Sequence, residues 1–102
     1  EIQIGSLSNS DLNNPNAFGL IKNYPNPFNP STTINYLVSD AGNVTMDVYD
    51  VNGQLVNQIL NSYHVSGQHS ITWNANNLSS GMYYISLHQG LKTDQMKVMF
   101  IK

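Results

Sequence analysis

From Thr33 onward, apolar and polar side chains alternate in short runs, and each run is closed by residues that favour turns. "TTINYLV" sets Ile34, Tyr36 and Val38 against Thr33, Asn35 and Leu37. After a break at "DAGN" (40–43), "VTMDVYDV" puts Val44, Met46 and Val48 on one face. Successive side chains of an extended chain point to opposite sides, so each such run predicts a strand with one face buried. Asn52-Gly53 then predicts a hairpin of type I′, whose two central residues need positive φ, and "QLVNQIL" is its return strand. "HVSGQHS" reads as a looser turn, followed by "ITWN" with Ile71 and Trp73 together. "NLSSG" ends that strand, and "MYYISLH" sets Tyr83, Ile85 and Leu87 against Met82, Tyr84 and Ser86. "QG" turns the chain once more before "LKTDQMKVMFI", with Met96, Val98 and Phe100 on one face. No window of helical length keeps a helical period without a Gly, Pro or Asn break. Some six strands at regular short spacing predict an all-β antiparallel sandwich. Its expected core includes Ile34, Val44, Met46, Val48, Leu55, Ile71, Trp73, Tyr83, Ile85, Val98 and Phe100.

Residues 1–22 differ. "EIQIGSL" alternates like a short strand, and "SNSDLNNPNAFG" is polar, rich in turn formers and without a period. Residues 1–22 therefore read as an extended N-terminal arm with a polar linker, and 23–102 as the sandwich. At the junction stands "NYPNPFNPSTTINY". Pro25, Pro27 and Pro30 fix φ, donate no backbone hydrogen bond, and push Tyr24, Asn26 and Asn29 towards extended geometry. The stretch predicts a stiff, polyproline-like strip, anchored by Tyr24 and Phe28. It either blunts a sheet edge or serves as a recognition strip for a partner.

Composition narrows the function. Only 10% of the 102 residues are charged, the net charge is −2, and there is no arginine. Phosphate binding needs a basic stripe, and Lys22, Lys92, Lys97 and Lys102 do not make one, so no nucleic-acid partner is expected. Without cysteine there are no disulfides, thiolate metal sites or Cys nucleophiles. No apolar run is long enough for a membrane-spanning helix. A surface poor in charge and rich in Asn, Ser and Thr suits an extracellular β-protein. A first residue Glu1 with no signal peptide fits a removed leader or a piece of a longer exported protein.

Catalytic and cofactor motifs are missing. His64, His69 and His88 have no metal-ligand spacing, and Ser79 and Ser80 lack a nucleophile context. Asp47, Asp50 and Asn52 do not follow the spacing of a calcium loop. Tyr24, Phe28, Tyr49, Trp73 and Tyr84 raise the lesser alternative of a carbohydrate-binding module, although Trp73 shares a face with Ile71 and reads as core. Neither an enzyme nor a cofactor is expected.

"YPNPFNPSTTINY", "VYDVNGQLV", "GQHSITWNANNLSSGMYYISL" and "KVMFIK" occur in that order. Together they resemble the C-terminal sorting domain, type A, of the type IX secretion system, over about Phe18 to Lys102. The resemblance implies a seven-stranded Ig-like sandwich without catalytic activity. It implies that an outer-membrane translocon recognises the domain, that a sortase-like peptidase removes it from an upstream cargo, and that the cargo reaches the cell surface or medium through the periplasm. The matching positions are Pro25, Asn26 and Pro27, then Gly53 with Leu55 and Val56, Ser80, Gly81, Met82 and Tyr83, and finally Lys97 and Lys102. Met96 stands where the family commonly has a lysine. The hook-capping Ig-like domain of flagella is a weaker resemblance. One alternative comes from the arm: Ile2, Ile4 and Leu7 would fill a groove on an identical subunit, and such head-to-tail strand addition builds a filament.

Overall fold

The computed structural model describes residues 17–102. They form seven strands and no helix: β1 (Gly19–Tyr24), β2 (Ser31–Val38), β3 (Gly42–Tyr49), β4 (Leu55–His64), β5 (Gly67–Asn74), β6 (Gly81–Gln89) and β7 (Lys92–Phe100). One sheet has the order β1-β2-β5 and the other β4-β3-β6-β7, with every pair antiparallel. This is an Ig-like sandwich in which β4 pairs with β3 rather than joining the sheet of β2 and β5.

The alternation dictates the core. Ile34, Tyr36 and Val38 of β2 and Trp73 of β5 face Val44, Met46 and Val48 of β3 and Tyr83, Ile85 and Leu87 of β6. Met96, Val98 and Phe100 of β7 complete the layer. Burying each such side chain contributes about 1.5–3 kcal/mol before the loss of chain entropy. Met96, where the resemblance suggested a lysine, is an inward core residue.

Two core expectations change. Leu55 is 57% exposed rather than buried. β4 carries two bulges against β3: Met46 faces Leu60 while Asp47 faces Gln58, and Val48 faces Asn57 while Tyr49 faces Leu55. Each bulge reverses the alternation and the two cancel, so Leu55, an odd number of residues from inward Leu60 and opposite Tyr49, lies on the outer face. Val56, Ile59 and Leu60 pack against the core instead. Ile71 is only partly buried, because β5 is the edge strand of its sheet.

The turns also differ from expectation. "HVSGQHS" is mostly strand, leaving only Val65 and Ser66 between β4 and β5. The chain changes sheet there, and His64 turns inward. Its Nδ1 lies 3.0 Å from the Ser62 carbonyl, so Nδ1 is assigned the proton and Nε2 accepts from the Tyr36 hydroxyl at 2.7 Å. Among the described residues no non-glycine has positive φ, so Asn52-Gly53 is not a type I′ turn. Gly53 N donates to Asp50 O at 3.0 Å, and Gly53 alone is left-handed, at φ 81°. This is a type I turn followed by a left-handed residue. Asp50 Oδ1 secures it by accepting from the amides of Asn52 and Gln54 at 2.9 and 3.0 Å.

The sandwich starts earlier than residue 23. Gly19–Tyr24 forms β1, with Leu20 fully buried opposite Tyr36, where the sequence reads as arm and linker. The proline stretch is consequently the loop of the β1–β2 hairpin, not a polyproline-like strip laid along the sandwich. The peptide bonds before Pro25, Pro27 and Pro30 are cis.

Candidate functional site

The topology gathers loops into two poles. β2 starts at Ser31 beside Asn74, and β6 starts at Gly81 beside Phe100. One pole thus holds the proline loop (25–30), the Asp50–Gln54 hairpin tip, the 75–80 loop and the residues after Phe100. The opposite pole holds 39–41, Val65–Ser66, Gly90–Leu91 and Gly19, where β1 begins opposite Leu37. The long dimension of the molecule is 37 Å.

Hydrogen bonds join the proline loop, the 75–80 loop and the end of the chain at the first pole. Phe28 pairs in parallel with Phe100 through Phe28 N to Met99 O and Ile101 N to Phe28 O, both 3.0 Å. Asn26 Oδ1 accepts from Met99 N at 3.1 Å. The proline loop therefore covers the outer edge of the end of β7, the edge-blunting role expected of it. Underneath, the Phe28 ring stacks on Phe100 at 5.1 Å and lies 5.4 Å from Trp73. Phe28 is thus the anchor, whereas Tyr24 is 75% exposed and anchors nothing. Buried Thr32 donates from Oγ1 to Pro25 O at 2.9 Å and accepts from Asn23 Nδ2 at 3.2 Å. Ala75 N donates to Pro30 O at 2.9 Å, joining the proline loop to the 75–80 loop.

Of the positions suggested by the resemblance, Pro25, Asn26, Pro27, Gly53 and Lys102 are exposed at this pole, and Gly81 borders it. Gly81 has φ 153°, a conformation that L side chains rarely adopt. Tyr83 is buried, and its hydroxyl donates to Ser79 O at 2.6 Å, so it fixes the 75–80 loop from inside. Lys102 N donates to Ser80 Oγ at 2.8 Å and its Nζ to Leu78 O at 3.2 Å. Lys97 lies further along β7, opposite Tyr84. Ile2, Ile4 and Leu7 lie outside the described residues. Sequence reading did not single out Val51 and Ile101, which stand 65% and 52% exposed at the same pole. Their signal was available only in retrospect, since isolated apolar loop residues are ordinary.

One polar cluster invites a catalytic reading and does not support it. A cleft of about 590 Å³ on the outer face of the larger sheet is lined by Tyr49, Ser86, His88, Thr93, Asp94 and Gln95. Ser86 Oγ is 2.9 Å from His88 Nε2, and Asp47 Oδ2 is 4.0 Å from the same nitrogen. In a Ser-His-Asp triad the carboxylate holds the nitrogen opposite the one facing serine, which sets the tautomer of the base. Here both groups compete for one nitrogen. His64 and His69 lie together, 4.7 Å between ring centroids, on the other side of the sandwich. Among the described residues no three His, Asp or Glu side chains converge on a metal position.

No curated protein and no solved structure gives a significant match. The pattern describing the secretion system C-terminal sorting domain matches residues 22–102, from β1 through the last residue of the pole. Tails of this family carry the export signal of the type IX machinery and direct proteins across the outer membrane to the surface or medium. No helix among the described residues is long and apolar enough to cross a membrane. With an all-β Ig-like sandwich and a family match over most of its length, this chain belongs to the type IX secretion system C-terminal sorting domains.

Proposed function

We propose that the pole formed by the proline loop, the Asp50–Gln54 tip, Ser80-Gly81 and the chain after Phe100 is the surface that an outer-membrane translocon reads. One observation carries this: Pro25, Asn26, Pro27, Gly53, Gly81 and Lys102, scattered along the sequence, come together at one end. In this reading Tyr83 acts by positioning, and Lys97 extends the surface along β7. The partner at the other end of the chain is an upstream cargo. The chain enters β1 at Gly19, at the opposite pole from the proposed recognition surface. A sortase-like peptidase would cut between cargo and sandwich.

The surface suits reversible protein contact. Tyr24, Val51 and Ile101 are large and exposed, and Pro25 and Pro27 stand beside them with little conformational entropy to lose. The Asp50 carboxylate is already engaged by two backbone amides, so it does not oppose docking through an unmet charge.

The test is a fusion of a periplasmic reporter to the N-terminus of the full 102-residue chain, in a bacterium with a type IX system. We expect the reporter outside the cells, and a reporter without the chain in the periplasm. A fusion that stays periplasmic with its sandwich intact would sink the proposal.

A further inference from the structure

We infer that the docking surface continues from the pole onto the outer face of the four-stranded sheet, as a stripe formed by Leu55, Tyr49, Tyr84 and Lys97. Its partner there is an apolar protein surface of the secretion machinery that carries a carboxylate for Lys97. The inference rests on the reading that the pole itself docks.

Register places the stripe. Leu55 lies opposite Tyr49, Tyr49 opposite Tyr84, and Tyr84 opposite Lys97, so the four residues cross all four strands in one line. Leu55 is 57% exposed, while Tyr49, Tyr84 and Lys97 are half-buried. Val51, at the adjoining hairpin tip, joins the stripe to the pole.

The opposite face of the molecule provides the contrast. On the three-stranded sheet, Thr33 lies opposite Thr72 and Asn35 opposite Ser70, with the two threonine hydroxyls 3.2 Å apart. Small polar side chains satisfy one another there, as a water-facing sheet requires. A line of one leucine and two tyrosines on the other face departs from that pattern. Tyrosine gives large contact area at low entropy cost, which is why it is enriched where proteins dock.

Charge selects the partner. Lys92 is paired with Asp40 at 2.9 Å, whereas Lys97 makes no ion pair among the described residues. The carboxylates beside Tyr49 in sequence are engaged: Asp47 Oδ1 accepts from Gln58 at 2.9 Å, and Asp50 Oδ1 accepts from the amides of Asn52 and Gln54 at 2.9 and 3.0 Å. The stripe therefore offers apolar area ending in one available cation. An apolar surface with an acidic side chain at its margin complements it.

The experiment uses the reporter fusion of the full chain, with export and thermal unfolding measured for each variant. We expect Tyr84→Ser and Lys97→Glu each to cut export by about tenfold or more, a hot-spot-sized effect, with Lys97→Arg exporting normally. Thr33→Ala and Thr72→Ala, on the other face, should leave export unchanged. Lys97→Glu changes the charged end of a half-buried side chain on the outer face, so with its fold confirmed by the unfolding curve it decides the matter even if Tyr84→Ser weakens the fold. Normal export by Lys97→Glu overturns the proposal. If Pro27→Ser still blocks export in that case, the pole reading stands alone; if it does not, both fail. Loss with Tyr84→Ser and not with Lys97→Glu, in a folded protein, would indicate a stacked neutral sugar and overturn the protein partner.

Discussion

Trp73 sits where the inside of the sandwich meets the pole of the proline loop, 5.4 Å from Phe28 and 6.1 Å from Tyr83 by ring centroids. It is 3% exposed, and its indole N–H has no hydrogen-bond partner among the described residues. Trp73→Ala should cost about 3–5 kcal/mol, read from denaturant unfolding, because the cavity left between Phe28 and Tyr83 cannot close easily. Trp73→Phe should cost clearly less, since it removes a buried donor that makes no bond as well as some volume. Tyr36 gives a pH signature. Burial raises its hydroxyl above the ordinary phenol value. The unfolded chain therefore loses this proton first, and stability falls as pH rises from about 10 towards the folded value. Wild type should lose more stability than Tyr36→Phe between pH 9 and pH about 10.5 in parallel denaturant melts. Equal losses would show that the Tyr36 proton is not linked to folding. At this scale the sequence was readable wherever strict alternation holds, as for Val44, Met46 and Val48. It was misleading at Leu55, because "QLVNQIL" has apolar residues on both faces and only the pairing with Tyr49 shows which face is outer. His64 was unreadable for a similar reason: its partner, Tyr36, comes from the other sheet.

Among the elements, the proline loop is the one whose role most needed the structure. Its stiffness was legible from Pro25, Pro27 and Pro30. Its attachment was not, because Phe28 and Phe100 meet only after all seven strands are in place. Asn26 is the polar part of that attachment, through Met99 N. Asn26→Ala should cost about 0.5–1.5 kcal/mol and speed amide exchange at Met99 relative to Val98, measured by NMR. An unchanged Met99 rate would mean that this side chain does not hold the loop. The β3–β4 tip was only half legible. The Asn-Gly pair marked the position, but Asp50, a ligand for two amides, decided the turn type. Gly53→Ala should cost about 1 kcal/mol in a thermal or denaturant melt. The cost comes from φ 81° alone, since no atom lies within 4 Å of the added carbon.

For the molecule as a whole, the antiparallel topology separates two ends with similar raw materials. Tyr24, Val51 and Ile101 are exposed at one, and Tyr63, Val65 and Leu91 at the other. Exposed apolar area alone does not distinguish them. Hydrogen bonds tie the loops at both ends, through Gln89 and Lys92 to Ser39 and Asp40 at the second; the difference is that one end carries the proline loop and the last residues and the other receives the chain at Gly19. This division was not legible from sequence, since it depends on which strand ends lie side by side. It also provides a matched comparison. In the reporter fusion of the full chain, Pro27→Ser, Val51→Ser and Ile101→Ser combined should abolish export. Tyr63→Ser, Val65→Ser and Leu91→Ser combined should leave it at the wild-type level, and both proteins should retain the β-sheet circular dichroism spectrum. Export that survives the first set, or fails with the second while the fold is intact, would contradict the assignment of the export signal to the pole of the proline loop.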